Sequence, residues 1–471
     1  RRRRASYNRL LEADRSRPFF PMRRIHVVTY GCQMNVHDSE MILGVLQAAG
    51  HQVAPSIEEA DVVLLNTCCV REKPERKVLS KVAELKRMRE QQRPELIIGV
   101  CGCMAQSLQE ELFSLAPAVD LASGPDEIGR LPELVAAVEA GERHVSAMRL
   151  GHTRPASDLP KARSDDLQAW VTIMHGCTNR CSYCIVPDVR GPERSRPIGE
   201  IREEVAQLVA SQVREVTLLG QNVNAYGMDL PPGSPRFPRL LAELDGIAGL
   251  ARIRFTTSHP KDFGDDLIEA VAGLPRVCEH VHLPVQAGSD EVLARMNRRY
   301  TRDQYLALVD RIRAAIPDVS ITTDVMVGFP GETDAQFEQT LDVFERVRFD
   351  QAFMFIFSPR RGTRAERMAD PVPREVKRRR LERLSARQNE IAREKNQTHV
   401  GRAFEVLVEG PSARDPSRLS GRTRTNKIAV FGPLPGRASP ARGRFVWVRV
   451  TRGYLWGYEA EVIDTACHEC S

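Results

Sequence analysis

The sequence predicts an α/β chain in three folded parts: an N-terminal parallel α/β domain of Rossmann-like type, a central partial (β/α)6 barrel and a small C-terminal β-barrel. Three observations carry that expectation. Short apolar runs at residues 25–29, 61–65 and 96–100 alternate with amphipathic stretches up to about residue 147, as in a parallel sheet. Six further apolar runs, at 169–174, 215–219, 252–256, 280–285, 320–327 and 351–357, alternate with helical patterns such as 198–211 and 335–347. Beyond a basic helical stretch at 374–396, short strand-like runs stand at 404–408, 428–431 and 445–450. The expected limits are a basic arm over 1–24, the first domain over 25–150, a linker over 151–168, the barrel over 169–397, the small barrel over 398–465 and a tail over 466–471.

In the first domain each apolar run ends at or just before cysteine: Cys32, then Cys68 with Cys69, then Cys101 with Cys103. The carboxyl ends of parallel strands share one edge, so cysteines far apart in sequence can meet there. Cys32 and Cys68 are 36 residues apart and Cys68 and Cys103 are 35 apart, each close to one βαβ unit. A three-thiolate site is the functional reading, and small core residues at strand ends are the plain one.

The first strand of the second domain runs into Cys177-Thr178-Asn179-Arg180-Cys181-Ser182-Tyr183-Cys184. Three thiolates at this spacing can converge from one loop on an iron–sulfur cubane and leave one iron open to a small molecule. A zinc knuckle would need a fourth ligand close by, and no other cysteine lies within twenty residues on either side. Barrels of this kind carry their chemistry on the loops after the strands. Gly328-Phe329-Pro330-Gly331-Glu332-Thr333 is such a loop, whose glycines let backbone approach a ligand or simply turn strand into helix. In the last domain Trp447, Tyr454, Trp456 and Tyr458 stand among Arg422, Arg424, Lys427, Arg444, Arg449 and Arg452, a composition suited to stacking and phosphate contact. For any one of these aromatics a place in the barrel core is the expected role. Cys467-His468-Glu469-Cys470 looks like a two-thiolate metal fragment in a tail.

Composition bounds the function. The chain has 471 residues, 42% of them hydrophobic, enough for about three domains. No stretch approaches the roughly 18 consecutive apolar residues of a membrane span, and no secretory h-region stands out, so a cytoplasmic address, or an organelle matrix, is expected. Eleven cysteines in so long a chain suit metal-binding thiolates in a reducing compartment better than a disulfide scaffold. Net charge is only +6, yet from Arg360 onward 24 Lys and Arg face 13 Asp and Glu, which points to a polyanion partner or to a solvated basic helix. The first 24 residues carry nine arginines and no initiating Met, and are read as the inside of a longer chain. Glu12 and Asp14 weaken a transit peptide there against a basic arm.

The loop of Cys177, Cys181 and Cys184, followed by Arg190-Gly191-Pro192-Glu193-Arg194-Ser195-Arg196-Pro197, resembles the radical S-adenosylmethionine enzymes called methylthiotransferases, and the likeness covers nearly the whole chain. Tyr30-Gly31-Cys32-Gln33-Met34-Asn35, Asn66-Thr67-Cys68 and Gly102-Cys103-Met104-Ala105 are similar to the three segments that hold the family's auxiliary cluster. The resemblance therefore implies a radical [4Fe–4S] cluster on Cys177, Cys181 and Cys184 and a second on Cys32, Cys68 and Cys103. Tyr183, Gly328, Gly331 and Glu332 would line the S-adenosylmethionine. Cys69 and Cys101 stand beside motif positions, so a ligand swap stays open at both, and Cys278, Cys467 and Cys470 receive no role.

Residues 70–78 and 218–226 are similar to the branch acting on isopentenylated tRNA, and residues 404–464 to the family's RNA-binding TRAM barrel. Arg361 and Arg364 stand where many relatives have Pro. The implied reaction replaces the C–H bond at carbon 2 of an N6-isopentenyladenosine beside the anticodon with C–SCH3. That bond is too inert for acid–base chemistry, so a carbon radical made by one-electron cleavage of S-adenosylmethionine is needed. The auxiliary cluster would carry the sulfur, and a reductase or flavodoxin-type protein would supply electrons. Alternative targets are threonylcarbamoyl-adenosine in tRNA and an aspartate of a ribosomal protein. A two-cluster electron carrier or an RNA-binding adaptor are the readings from other classes.

Overall fold

A computed structural model of the chain describes residues 22–69, 72–151, 159–163, 165–432 and 439–464. Most of the basic arm, Val70 with Arg71, and Cys467 with Cys470 lie outside the described residues. Among the described residues no helix is long and apolar enough to cross a membrane.

The first domain is a six-stranded parallel sheet built from β1 (Arg24–Tyr30), β2 (Gln52–Val53), β3 (Val62–Thr67), β4 (Ile97–Gly102), β5 (Leu121–Ser123) and β6 (Val145–Ala147), in the order β2-β1-β3-β4-β5-β6. β3 and β4 are buried along their whole length, as befits central parallel strands covered on both faces. Period-two alternation divides β4 between two cores: Ile98 and Val100 face one, Ile97 and Cys101 the other. Residues 159–163, which the sequence offers as linker, are packed: Leu159 joins the core under the helix Gln33–Ala48, and Ala162 N donates to Glu40 O at 2.9 Å.

The six apolar runs of the central domain are its six strands: β7 (Gln168–Thr172), then, after the short pair β8 (Met174–His175) and β9 (Arg194–Ser195), β10 (Glu215–Leu219), β11 (Arg252–Phe255), β12 (His280–His282), β13 (Ser320–Val327) and β14 (Gln351–Ile356). They form two parallel halves, β11-β10-β7 and β12-β13-β14, which meet through a bridge between Ile253 and Val277. Val171, Val216, Ile253, Val281, Ile321 and Val325 pack outward under the helices, in the largest core of the molecule. The alternate residues Glu215, Arg254, His282, Asp324 and Phe353 therefore face the lumen.

The last domain is a closed five-stranded barrel of β15 (Ala403–Pro411), β16 (Leu419–Thr423), β17 (Ile428–Phe431), β18 (Phe445–Tyr454) and β19 (Gly457–Asp464). It sits at the amino ends of the central strands. Arg252, the first residue of β11, donates to Arg422 O at 2.7 Å and Glu405 Oε1 at 2.8 Å, and Arg254 donates to Thr423 O and Arg424 O, both at 2.8 Å. Arg424 pairs with Glu279 at 2.7 Å and Lys427 with Asp350 at 3.1 Å, so the β16–β17 turn stoppers that mouth and leaves the chemistry to the opposite one. Arg252 is fully buried, with its guanidinium 5.0 Å from the Phe445 ring. Arg252→Ala strips buried acceptors of their partner and is expected to cost about 3–5 kcal/mol of docking. The check is hydrogen exchange, which should accelerate across residues 403–463 before it does so elsewhere.

Candidate functional site

Gly176 carries the chain from β8 into the cysteine loop at φ +74°, and a side chain there would stand 2.0 Å from Pro192 O. The glycine thus lets the loop cross the Gly191-Pro192 backbone, where Cys177 N donates to Gly191 O at 3.1 Å. Gln221, on the loop after β10, accepts from Gly176 N. The loop's far side is pinned by Ser182 N to Met296 O at 3.0 Å, Ser182 Oγ to Arg295 O at 2.8 Å, and Ala365 N to Ser182 O at 2.8 Å. Backbone bonds, helped by the side chains of Gln221 and Ser182 and not by the thiols, hold its shape.

The three cysteines lie on this one loop, near enough for Cys177 and Cys181 both to act electrostatically on Cys184. Burial pushes Cys177 up to about 11 and Cys184 up to about 12, so both stay neutral thiols at ordinary pH unless a metal displaces the proton. The buried guanidinium of Arg298 faces Cys181, with Nη1 at 3.6 Å from its Sγ, and is held there by Pro284 O at 3.0 Å and Tyr300 Oη at 3.1 Å. Soft donors on one partly exposed loop, with a cation already at one sulfur, fit an anionic iron–sulfur cluster. His175, two residues before Cys177, is a further nitrogen donor close to the loop. It is buried, and burial, then Arg190, Arg194 and Arg196, push its pKa well down. Among the described residues no three His, Cys, Asp or Glu side chains gather around a single ion.

Of the four residues expected to line the cofactor, Tyr183 packs beside Phe329 and Phe357 above the barrel. Gly328 opens the loop after β13 at φ +69°, and a Cβ there would meet Lys377 Cγ at 2.3 Å. Its N donates to Glu332 Oε2 at 2.6 Å, and the same carboxylate pairs with Arg380 at 2.9 Å. Glu332 is thus a buried brace of its own loop, with Oε1 left as an unpartnered acceptor. Gly331 faces open space.

The second cysteine set lies on three adjacent strand ends. Cys32 follows β1 and starts the helix Gln33–Ala48, Cys68 follows β3, and Cys103 follows β4 and starts the helix Cys103–Leu108. Beneath them Asn66 Nδ2 donates to Asn35 O at 2.8 Å and Ser39 Oγ at 2.9 Å, fixing the edge. A hydrogen bond with Cys68, then the charge of Arg190, brings Cys32 down to about 6, and a hydrogen bond with Cys69, then Arg190, lowers Cys103. Cys101 stands apart: it belongs to the core on the opposite sheet face, and burial pushes it up to about 12. Cys69 is in the same core as Cys103 and touches it. Cys278 is buried near Arg254 and Arg252, at the stoppered end.

The segment that follows the cysteine loop packs into the first domain beside the second cysteine set. The helix Val186–Arg190 leaves the cysteine loop two residues after Cys184, and Ile185 and Val189 enter the first domain's core beside Cys69 and Cys103. Arg194 pairs with Asp126 at 2.8 Å and Arg360 with Glu75 at 3.3 Å. Sequence reasoning assigned no role to Arg298, Tyr300, Arg190 or the lumen group in which His282 Nε2 lies 3.5 Å from Asp324 Oδ2 and 42%-exposed Phe353 stacks edge-on to the imidazole at 5.9 Å. On the last domain Trp447, Tyr454 and Trp456 are 36, 44 and 58% exposed, and Arg452 stacks on Tyr454 at 5.1 Å. The core role expected for these aromatics holds only for Tyr458.

Comparison with known proteins agrees with this three-part layout. Residues 24–124 match the Uncharacterized protein family UPF0004, residues 171–344 the Radical SAM superfamily and residues 397–463 the TRAM domain. A tRNA-2-methylthio-N(6)-dimethylallyladenosine synthase of Moorella thermoacetica is 49% identical, over 93% of this chain and 98% of that one. A protein of the same name from Carboxydothermus hydrogenoformans is 48% identical, over 93% and 99%. Among solved structures, the radical S-adenosylmethionine methyltransferase TsrM of Kitasatospora setae shares the fold, with a TM-score of 0.51 and 15% identity over 70% of this chain and 72% of that one.

Proposed function

This chain belongs to the family of tRNA-2-methylthio-N(6)-dimethylallyladenosine synthases, which are radical S-adenosylmethionine enzymes, and we propose that it inserts a methylthio group at carbon 2 of N6-isopentenyladenosine beside the anticodon of tRNA. Cys177, Cys181 and Cys184 would hold the radical [4Fe–4S] cluster, and Cys32, Cys68 and Cys103 would hold an auxiliary one. Bound there, a low-potential cluster would supply the one-electron reduction of S-adenosylmethionine that yields a carbon radical able to attack an aromatic C–H bond. The observation that supports this reading is the helix Val186–Arg190, which runs from the cysteine loop of the central domain into the first domain's core beside Cys103.

The chain's own residues bind, orient and exclude water. Arg298 offsets negative charge at Cys181. Gly331 leaves room for the cofactor, and Glu332, locked by Arg380, offers its unpartnered Oε1 as an acceptor; Gly328 and Tyr183 complete that wall. Presenting adenine carbon 2 in the lumen requires the base to leave its stack, which an anticodon loop allows cheaply. The exposed tryptophans and tyrosine of the small barrel offer stacking surfaces for the rest of the RNA. Domain limits at 25–150, 169–397 and 398–465, a flavodoxin-type or reductase donor, and an address in cytoplasm or organelle matrix belong to the same reading.

The test is nucleoside mass spectrometry on isopentenylated tRNA after anaerobic incubation with cluster-reconstituted protein, S-adenosylmethionine and a strong reductant. A methylthio gain on the isopentenyladenosine is expected. Cleavage of S-adenosylmethionine without that gain would move the target to threonylcarbamoyl-adenosine or a ribosomal protein.

A further inference from the structure

Arg190 is a buried cation that the motif chemistry leaves without a task. Its Nε donates to Cys103 Sγ at 3.3 Å, while Nη2 reaches Asp38 Oδ2 at 2.5 Å and Nη1 reaches Asp38 Oδ1 at 3.5 Å. Asp38 is itself 1% exposed, on the helix that Cys32 starts. A buried arginine alone would be costly, and a carboxylate gripped by the fork offsets its charge while leaving Nε free to point elsewhere. Among the described residues the sulfur that accepts from it is Cys103, while its charge also reaches Cys32. The same side chain hangs from the helix that leaves the loop of Cys177, Cys181 and Cys184, so its anchor is in one domain and its stem in the other.

We propose that Arg190, braced by Asp38, is a positioning residue that donates a hydrogen bond to the Cys103 ligand of the auxiliary cluster, setting that cluster's reduction potential and fixing its place opposite the radical site. The proposal rests on the two-cluster reading. Hydrogen bonds and positive charge at a ligand sulfur stabilise the more negative, reduced cluster and raise its potential. Lysine cannot serve both partners, because its ammonium lacks the planar fork that holds Asp38 while Nε contacts sulfur.

The experiment uses the full-length chain with Cys177, Cys181 and Cys184 replaced by alanine, so that only the auxiliary cluster is reconstituted, and measures its midpoint potential by redox titration followed by electron paramagnetic resonance. Arg190→Gln is expected to lower the reduced-to-oxidised ratio at a fixed poise about tenfold, a downward shift of about 59 mV for one electron. Arg190→Lys should lie between the two, and it carries the test alone if the glutamine variant does not fold. In the chain with all its cysteines, Arg190→Lys should retain S-adenosylmethionine cleavage and lose methylthio insertion. An unchanged potential in either variant with full iron content overturns the proposal. If the triple-alanine parent takes up no iron at all, the auxiliary-cluster reading fails, and the proposal with it.

Discussion

Cys181→Ala is expected to remove reductive cleavage of S-adenosylmethionine, a loss well beyond the hundredfold or so that outer-shell changes around a metal cost. The reason is the division of labour in the loop. Its path is fixed by backbone bonds from Cys177 N, Ser182 N and Ala365 N, none of which involves a thiol. Truncating Cys181 would therefore remove one of the three proposed ligands and leave the neighbouring cysteines in place. The buried Arg298 also loses the sulfur it faces, so a cluster held by the two remaining cysteines would be short of both a ligand and its local charge balance. Iron content, absorbance near the cluster bands and release of 5′-deoxyadenosine are the measurements. Cys278→Ala, at the stoppered end of the barrel, should leave all three unchanged. Wild-type cleavage by Cys181→Ala would sink the cluster assignment and with it the proposed chemistry.

Most of the parallel architecture could be read from sequence because central parallel strands are buried on both faces and announce themselves as apolar runs. β3 and β10 are examples. The small barrel was harder. Its strands β16 and β19 have one face in water, so Leu419-Ser420-Gly421-Arg422-Thr423 carries few apolar residues and was passed over. The same half-solvated geometry explains why Trp447 and Tyr454 point outward when composition alone favoured a core position.

At the site, cysteine spacing gave the residues but not their neighbours. Arg190 and Arg298 act across 87 and 117 positions of sequence on Cys103 and Cys181, and no local pattern signals such a contact. Arg190 did stand inside a quoted motif, six residues after Cys184, and a helical turn between two cysteine sites was the available clue. The choice between Cys101 and Cys103 was also open to a period-two argument. If Ile98 and Val100 face one core, residue 101 must face the other, and Cys103, just past the strand end, lies in the core that also holds Cys69.

That parity makes the second set of replacements sharply discriminating. Cys68→Ala and Cys103→Ala are each expected to leave S-adenosylmethionine cleavage within about twofold of wild type, since the radical site's loop is held by bonds that neither residue touches, while methylthio insertion falls by more than about a hundredfold. Cys101→Ala should retain both activities, because its thiol lies in the opposite core and cannot reach the strand-end site without turning β4 over. Cys69 is the harder case, as it touches Cys103 in the same core. If Cys68→Ala retains insertion and Cys69→Ala loses it, the ligand is Cys69 and the chain after β3 must turn one residue later than it does in this structure. If Cys69→Ala retains insertion, its thiol is a packing neighbour, and the buried contact with Cys103 merely fills the space beneath the cluster. Measuring 5′-deoxyadenosine and methylthiolated nucleoside in the same reaction separates the two proposed sites, since on that reading the first product would require only the radical cluster and the second would require both.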